Sequence, residues 1–316
     1  MVNQISGTLL MIRPVAFHEN EQTAVNNYFQ EHTSKSDDHV QSLAVKEFDQ
    51  LVELLRREAI NVVVVEDTLY PETPDSIFPN NWISFHANGD AIIYPMFAPN
   101  RREERRPDIL DMLRKDFELN EVHSLTYWEA QAKFLEGTGS LILDRQHEVA
   151  YAAISDRTHK MVIDQFKKQS GYRIVTFIAN QTVNGQRLPI YHTNVMMAVG
   201  EHFAVICLDS IDDATERAQV VESLSTTGKE IIALSEEQIH HFAGNMLQVQ
   251  NRRNEKFVVM SEAAYDCLDQ HQKNRLLTHG QLIHSPIPTI EKLGGGSVRC
   301  MMAEVFLPHL RKHKET

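Results

Sequence analysis

The chain is expected to fold as an α/β protein in which one unit is repeated around a ring. Three observations predict this. Short apolar, strand-like runs alternate with helical stretches along the whole length. Five unusual loops recur at near-constant spacing: Asn80-Asn81, Glu136-Gly137, His192-Thr193-Asn194, Gly244-Asn245 and Gly296 to Cys300. Taken at Asn81, Glu136, His192, Asn245 and Cys300, the gaps are 55, 56, 53 and 55 residues. Each interval has room for strands and a helix, so each unit donates one loop to one end, as the blades of a propeller do. No low-complexity stretch and no Pro/Gly/Ser linker interrupts the sequence, and residues 1–316 read as a single domain.

The elements follow in order. Gly7 to Ile12 reads as a strand. Pro14 to Asp38 is polar and the least regular segment, a lid over a site or a surface loop, with the loop the better prior. His39 to Ala59 is an amphipathic helix, because Val40, Leu43, Ala44, Phe48, Leu51, Val52 and Leu55 fall at helical spacing with charges between them. Asn61 to Val65 is a buried strand. Trp82 to Phe85 and Ala91 to Tyr94 are short strands around the turn Asn88-Gly89-Asp90. Glu103 to Phe117 is helical. Strands at Leu141 to Leu143 and Val149 to Ile154 precede a helix over Arg157 to Gln169. Tyr172 to Ile178, Val195 to Val199 and Ala204 to Cys207 are strands, Ala214 to Thr227 a helix and Ile231 to Leu234 a strand. Leu247 to Gln250 and Lys256 to Met260 are strands, Ser261 to His279 is mostly helical, and Ser297 to Val305 is a closing strand.

The formal charge of −12 argues against non-specific nucleic-acid binding and against docking on anionic lipid. No apolar run is long enough to span a bilayer. Residues 1–15 show no signal-peptide pattern. Cys207, Cys267 and Cys300 cannot all pair with one another, which fits a reducing cytoplasm. With no Cys-x-x-Cys and no His-Glu-x-x-His, no metal site is expected.

The chemistry points to Cys300, at the end of Gly294-Gly295-Gly296-Ser297-Val298-Arg299-Cys300. Consecutive glycines let backbone pass close to a bound molecule. A thiolate is the reactive form of cysteine, so Cys300 needs a partner. His192 is the best acid/base candidate, and Arg299 is expected on the opposite face of the closing strand. Taken singly, a buried histidine or a small buried thiol is the commoner reading of such residues. Glu136, between an apolar pair and a glycine turn, is either a solvated loop residue or a buried ligand for a cation or amide.

As an ordered set, the segments resemble the guanidine-modifying (pentein) superfamily of arginine deiminases, dimethylarginine dimethylaminohydrolases, amidinotransferases and succinylarginine dihydrolases. The carriers are Pro74-Asp75-Ser76-Ile77-Phe78, Leu135-Glu136-Gly137, Ser155-Asp156-Arg157-Thr158, His192-Thr193-Asn194 and Gly294 to Met301. The resemblance implies a five-bladed α/β propeller of ββαβ-type repeats, with Cys300 as nucleophile, His192 as acid/base and Glu136 as orienter of the reacting group. Asp75 falls in a substrate-binding motif. Arg157 is placed to pair with a substrate α-carboxylate. Arg101 is a second candidate for that role, with a helix-start surface charge the favoured alternative. Asn245 orders the loops or touches substrate, or is a turn residue.

Deiminases grip a guanidinium with carboxylates at positions that are Asn81 and Asn194 here. Carboxylates suit a cation that only donates hydrogen bonds, whereas an amide both donates and accepts and so suits a neutral ureido group. Asn80-Asn81-Trp82 and Gly137-Thr138-Gly139-Ser140 look like elements of the citrulline-utilisation hydrolases. The expected function is cysteine-dependent hydrolysis of citrulline to ornithine, ammonia and carbon dioxide, without metal or organic cofactor. An arginine deiminase or dihydrolase is the near alternative, and a non-catalytic binding propeller the alternative from another class. The expected partner is a small amino-acid substrate, and the sequence leaves a homo-oligomer open.

Overall fold

A computed structural model describes residues 3–310; residues 1–2 and 311–316 of the expected domain lie outside the described part. Among the described residues, five three-stranded sheets and one two-stranded sheet make up the β structure. All five larger sheets share one plan: the first two strands are antiparallel, and the second and third are parallel across a helical crossover. Ile83–Phe85, Ala91–Ile93 and Val122–Ser124 form one. Ile142–Asp144, Val149–Ala153 and Arg173–Phe177 form the next. Met197–Val199, Phe203–Ile206 and Glu230–Ala233 follow, then Leu247–Gln250, Lys256–Ser261 and Gln281–Ser285. The remaining sheet joins the two ends of the chain: Thr8–Arg13 runs parallel to Asn61–Glu66 and antiparallel to Ala303–Glu304.

Parallel pairing demands a crossover, and amphipathic helices supply it. Asp37–Arg57 buries Val40, Ala44, Phe48, Leu51, Val52 and Leu55 against the sheet and leaves Leu43 half-buried. Lys160–Ser170 ends at Gly171, which adopts the left-handed cap geometry. Ala214–Thr226 starts on an Asp213 side chain that accepts from two backbone amides.

Several elements differ from expectation. The helix anticipated over 103–117 is a 3₁₀ stretch, Pro99–Glu104, followed by Pro107–Leu113; proline starts both, as its missing N–H allows. The helix anticipated over 261–279 breaks into Glu262–Cys267 and Gln270–Leu277, because Asp269 and Gln272 build a capping box that starts a new helix. The closing strand contracts to Ala303–Glu304. Residues 297–302 instead form successive turns, with the N–H groups of Cys300, Met301 and Met302 donating to the carbonyls of Ser297, Val298 and Arg299. The glycine run is the end of a helix, Pro288–Gly294, capped by Gly295 at φ +61°. The hairpin Asn180–Val183/Gln186–Pro189 was not anticipated and stands outside the repeat. Among the described residues no helix is long and apolar enough to cross a membrane.

Candidate active site

Each of the five spaced loops precedes the first strand of one sheet, Glu136 and His192 across one short helix: Asn81 before Ile83, Glu136 before Ile142, His192 before Met197, Asn245 before Leu247 and Cys300 before Ala303. Equivalent positions in a repeated unit explain how residues so far apart in sequence come together.

Cys300 is buried, and its Sγ lies 3.3 Å from Asn194 Nδ2 and 3.3 Å from Asn245 Nδ2. Asn245 is fixed in turn: its Nδ2 also donates to the Asn194 carbonyl at 3.0 Å, and its Oδ1 accepts from the Arg299 N–H at 3.0 Å. The other two cysteines lack this setting. Burial pushes the Cys207 thiol up, and pushes Cys267 up to about 11.

His192 does not hydrogen-bond Cys300. Its Nε2 lies 2.8 Å from Glu136 Oε2. Burial lowers the imidazole to about 4, with the Glu136 contact offsetting only part of that. Burial alone would raise the Glu136 carboxyl, but the Arg157 guanidinium and the His192 bond outweigh it and hold the group at about 2. A neutral imidazole against a carboxylate donates its Nε2–H, which leaves Nδ1 as a free acceptor. Gly139 packs on that ring: a Cβ there would sit 2.8 Å from His192 Nδ1 and would also strike the Asn81 amide. The other Glu136 oxygen accepts from the Phe97 N–H at 2.8 Å.

Arg101 is not a surface charge. It is buried, bidentate with Glu104 at 2.7 and 2.9 Å, 3.8 Å from Asp75 and 3.9 Å from Glu136. Burial would lower its pKa, but the Glu104 and Asp75 carboxylates outweigh this and raise it. Its Nη1 donates to Asn81 Oδ1 at 2.9 Å. That bond fixes the Asn81 amide, so Nδ2 is the atom left over, and it has no partner among the described residues. Asn194 Oδ1 and Asp75 Oδ1 are likewise buried and unpartnered. Orphaned buried polar atoms are rare in folded proteins, and a cluster of them marks where a polar ligand would be matched.

Residues of the irregular segment cover this cluster. Asn20 Nδ2 and Thr23 Oγ1 donate to Asp75 Oδ2 at 2.8 and 3.2 Å. Arg157 donates from Nε to Asn26 Oδ1 at 2.9 Å and from Nη2 to the Thr23 carbonyl at 2.7 Å. Asn27 Nδ2 reaches the Gly295 carbonyl at 3.2 Å. The preferred reading of 14–38 as a plain surface loop therefore fails for Asn20, Thr23 and Asn27, all buried. The sequence offered no signal for Asn20, Asn26 or Glu104, whose partners lie in other segments or one turn away in a 3₁₀ helix. Arg299 turns away from the cluster, donating to the Met302 carbonyl and to Glu304.

Repeated α/β units that gather a thiol, an imidazole–carboxylate pair and buried arginines define the guanidine-modifying superfamily of hydrolases acting on C–N bonds. The chain belongs to the family described as N,N dimethylarginine dimethylhydrolase, eukaryotic, which it matches over residues 13–307. The fold is similar to the N-terminal domain of ArgZ, an arginine dihydrolase from the ornithine-ammonia cycle in cyanobacteria, solved bound to substrate. The TM-score is 0.72 at 17% identity, covering 96% of this chain and 99% of that domain. Against full-length ArgZ the TM-score is 0.73 at 17% identity over 96% of this chain, which spans only 41% of that protein. DDAH from Pseudomonas aeruginosa, solved with citrulline, matches at TM-score 0.65 and 16% identity over 95% of this chain and 99% of that one. At these identities the likeness is one of fold. No curated protein matches the chain in sequence.

Proposed function

We propose that this hydrolase acts on the ureido group of citrulline, giving ornithine, ammonia and carbon dioxide. One observation carries the reading: a buried donor, Asn81 Nδ2, and a buried acceptor, Asn194 Oδ1, both stand without partners beside Cys300 and His192. A ureido group has a carbonyl oxygen for the donor and N–H groups for the acceptor. A guanidinium only donates, so it would leave Asn81 Nδ2 unmatched at a cost of about 1–3 kcal/mol.

In this mechanism Cys300 Sγ attacks the ureido carbon, its proton passing to the free Nδ1 of His192. Asn81 Nδ2 holds the developing oxyanion. His192 returns the proton to the departing ammonia, leaving an alkylcarbamoyl group on sulfur. His192 then takes a proton from water, whose oxygen attacks the same carbon and expels the thiolate. The N-carboxylated amine so released loses carbon dioxide. Glu136 keeps His192 in the reactive tautomer. Asp75 and Arg157 take the amino-acid end of the substrate, and Asn245 holds the sulfur and its loop. The five sheets serve as blades of one ring in a single domain, which sets the five loops around a common axis. A catalytic thiol suits a reducing, cytoplasmic setting.

Action on arginine is the second reading, favoured by the unpartnered Asp75 Oδ1 and by the family to which the chain belongs. Incubation of purified protein with citrulline and, separately, with arginine, following ornithine, decides between them. Ornithine from citrulline is expected; arginine consumed while citrulline stays intact would sink the ureidase reading.

A further inference from the structure

Outside the thiol cluster lies a cavity of about 530 Å³, between the irregular segment, the extra hairpin, the loop at 240–242 and the start of the helix Pro288–Gly294. Three features of its lining are unexplained by the fold. Gln181, on the hairpin, is 1% exposed, and its Nε2 has no hydrogen-bond partner among the described residues. Glu291 is 6% exposed and has no cationic partner within 4 Å among the described residues; Ser297 Oγ donates to it at 2.6 Å. Phe29 and Phe242 form an aromatic wall with ring centroids 5.2 Å apart.

These groups are specific in what they lack. A buried carboxyl without a countercharge calls for a cation, and burial has already raised Glu291 to about 7. An orphaned amide N–H calls for an anionic or carbonyl oxygen. Aromatic faces favour a cation or an alkyl chain. Glu31 and Lys292 offset each other, which leaves Glu291 as the lining carboxyl without a countercharge among the described residues.

We propose that this cavity is a second small-molecule site, taking a basic α-amino acid with its carboxylate at Gln181 Nε2 and an ammonium group at Glu291. The site touches the catalytic loops at two points. Glu291 holds Ser297, whose carbonyl accepts the Cys300 N–H at 2.9 Å. Phe29 lies edge-on to Tyr191 at 6.1 Å, and the Tyr191 hydroxyl donates to the Gly295 carbonyl at 2.5 Å. Occupancy therefore bears on the Cys300 loop and on the segment that covers it. The proposal rests on the cavity and not on which substrate Cys300 attacks.

Calorimetric titration with L-lysine, which is neither substrate nor product of the proposed reaction, tests it. Binding of L-lysine is expected, weakened by about tenfold or more in Gln181→Met and in the same direction in the exposed-side variant Glu31→Gln. Turnover without lysine should be unchanged in both. No binding up to about 10 mM, unchanged affinity in Gln181→Met, or displacement of lysine by saturating substrate would each overturn the second site.

Discussion

At the scale of single residues, the proposed choice of substrate rests on an amide orientation. Asn81 presents a donor because Arg101 occupies its oxygen, and Arg101 is held by Glu104. Asn81→Asp would keep the Arg101 contact and turn the free atom into an acceptor. The expected result is a fall in kcat/KM for citrulline of about 10- to 100-fold, the equivalent of about 1–3 kcal/mol, with no matching fall on arginine. Citrulline turnover that survives unchanged would remove Asn81 from contact with the ureido oxygen. Cys300→Ser should abolish turnover while leaving the denaturation midpoint close to that of the parent, since the change is small and the amide donors of Asn194 and Asn245 still meet an oxygen. Retained activity would show that the nucleophile lies elsewhere. A species trapped on Cys300 and weighed by mass would identify the group transferred. Cys300, His192, Glu136, Asn81 and Asn194 could be singled out as candidates in the sequence, because their motifs are local. The buried state of Arg101 was not: its surroundings come from Asp75, Asn81 and Glu136.

At the scale of elements, one glycine sets a contact between two loops. Gly139 lies in the short helix Gly137–Ser140, and the Asn81 amide and the His192 ring close on it from two other sheets. Gly139→Ala would place a methyl group 2.8 Å from His192 Nδ1, the nitrogen proposed to carry the proton. A loss of kcat of about 100-fold is expected from a displacement of this kind, with the secondary structure intact by circular dichroism. An unchanged kcat would mean that Nδ1 is not the working nitrogen. Helices with a long apolar stripe were readable, as Asp37–Arg57 shows. The hairpin Asn180–Val183/Gln186–Pro189 was not, since its strands are short, edge-like and largely exposed. The strand expected at 297–305 failed for a related reason. Its apolar run, Val298 and Met301 to Ala303, is buried by the loops that surround it, so burial there reports tertiary enclosure rather than a strand.

At the scale of the whole molecule, the site couples stability to pH. Glu136 is held at about 2 against an ordinary value of 4.5, so the folded state binds fewer protons than the unfolded state between those limits. Its contribution is complete above pH 4.5 and lost as pH falls through about 2. His192 stands at about 4 against 6.5, and a neutral buried imidazole has the same sign: stability rises with pH from about 4 to 6.5. Each shift corresponds to on the order of 3 kcal/mol. Urea unfolding across that range should show a steeper pH dependence for the parent than for His192→Gln; parallel curves would mean that His192 carries a charge in the fold. The sequence by itself determined the α/β alternation and the spacing of the five candidate loops, because periodicity and motif chemistry are properties of neighbouring residues. The tertiary structure alone decided which atoms of those groups are free. The Asn26 and Thr23 contacts to Arg157 and the Asn194 contact to Cys300 join segments from different sheets, and a linear sequence carries no record of which donor reaches which acceptor across such distances.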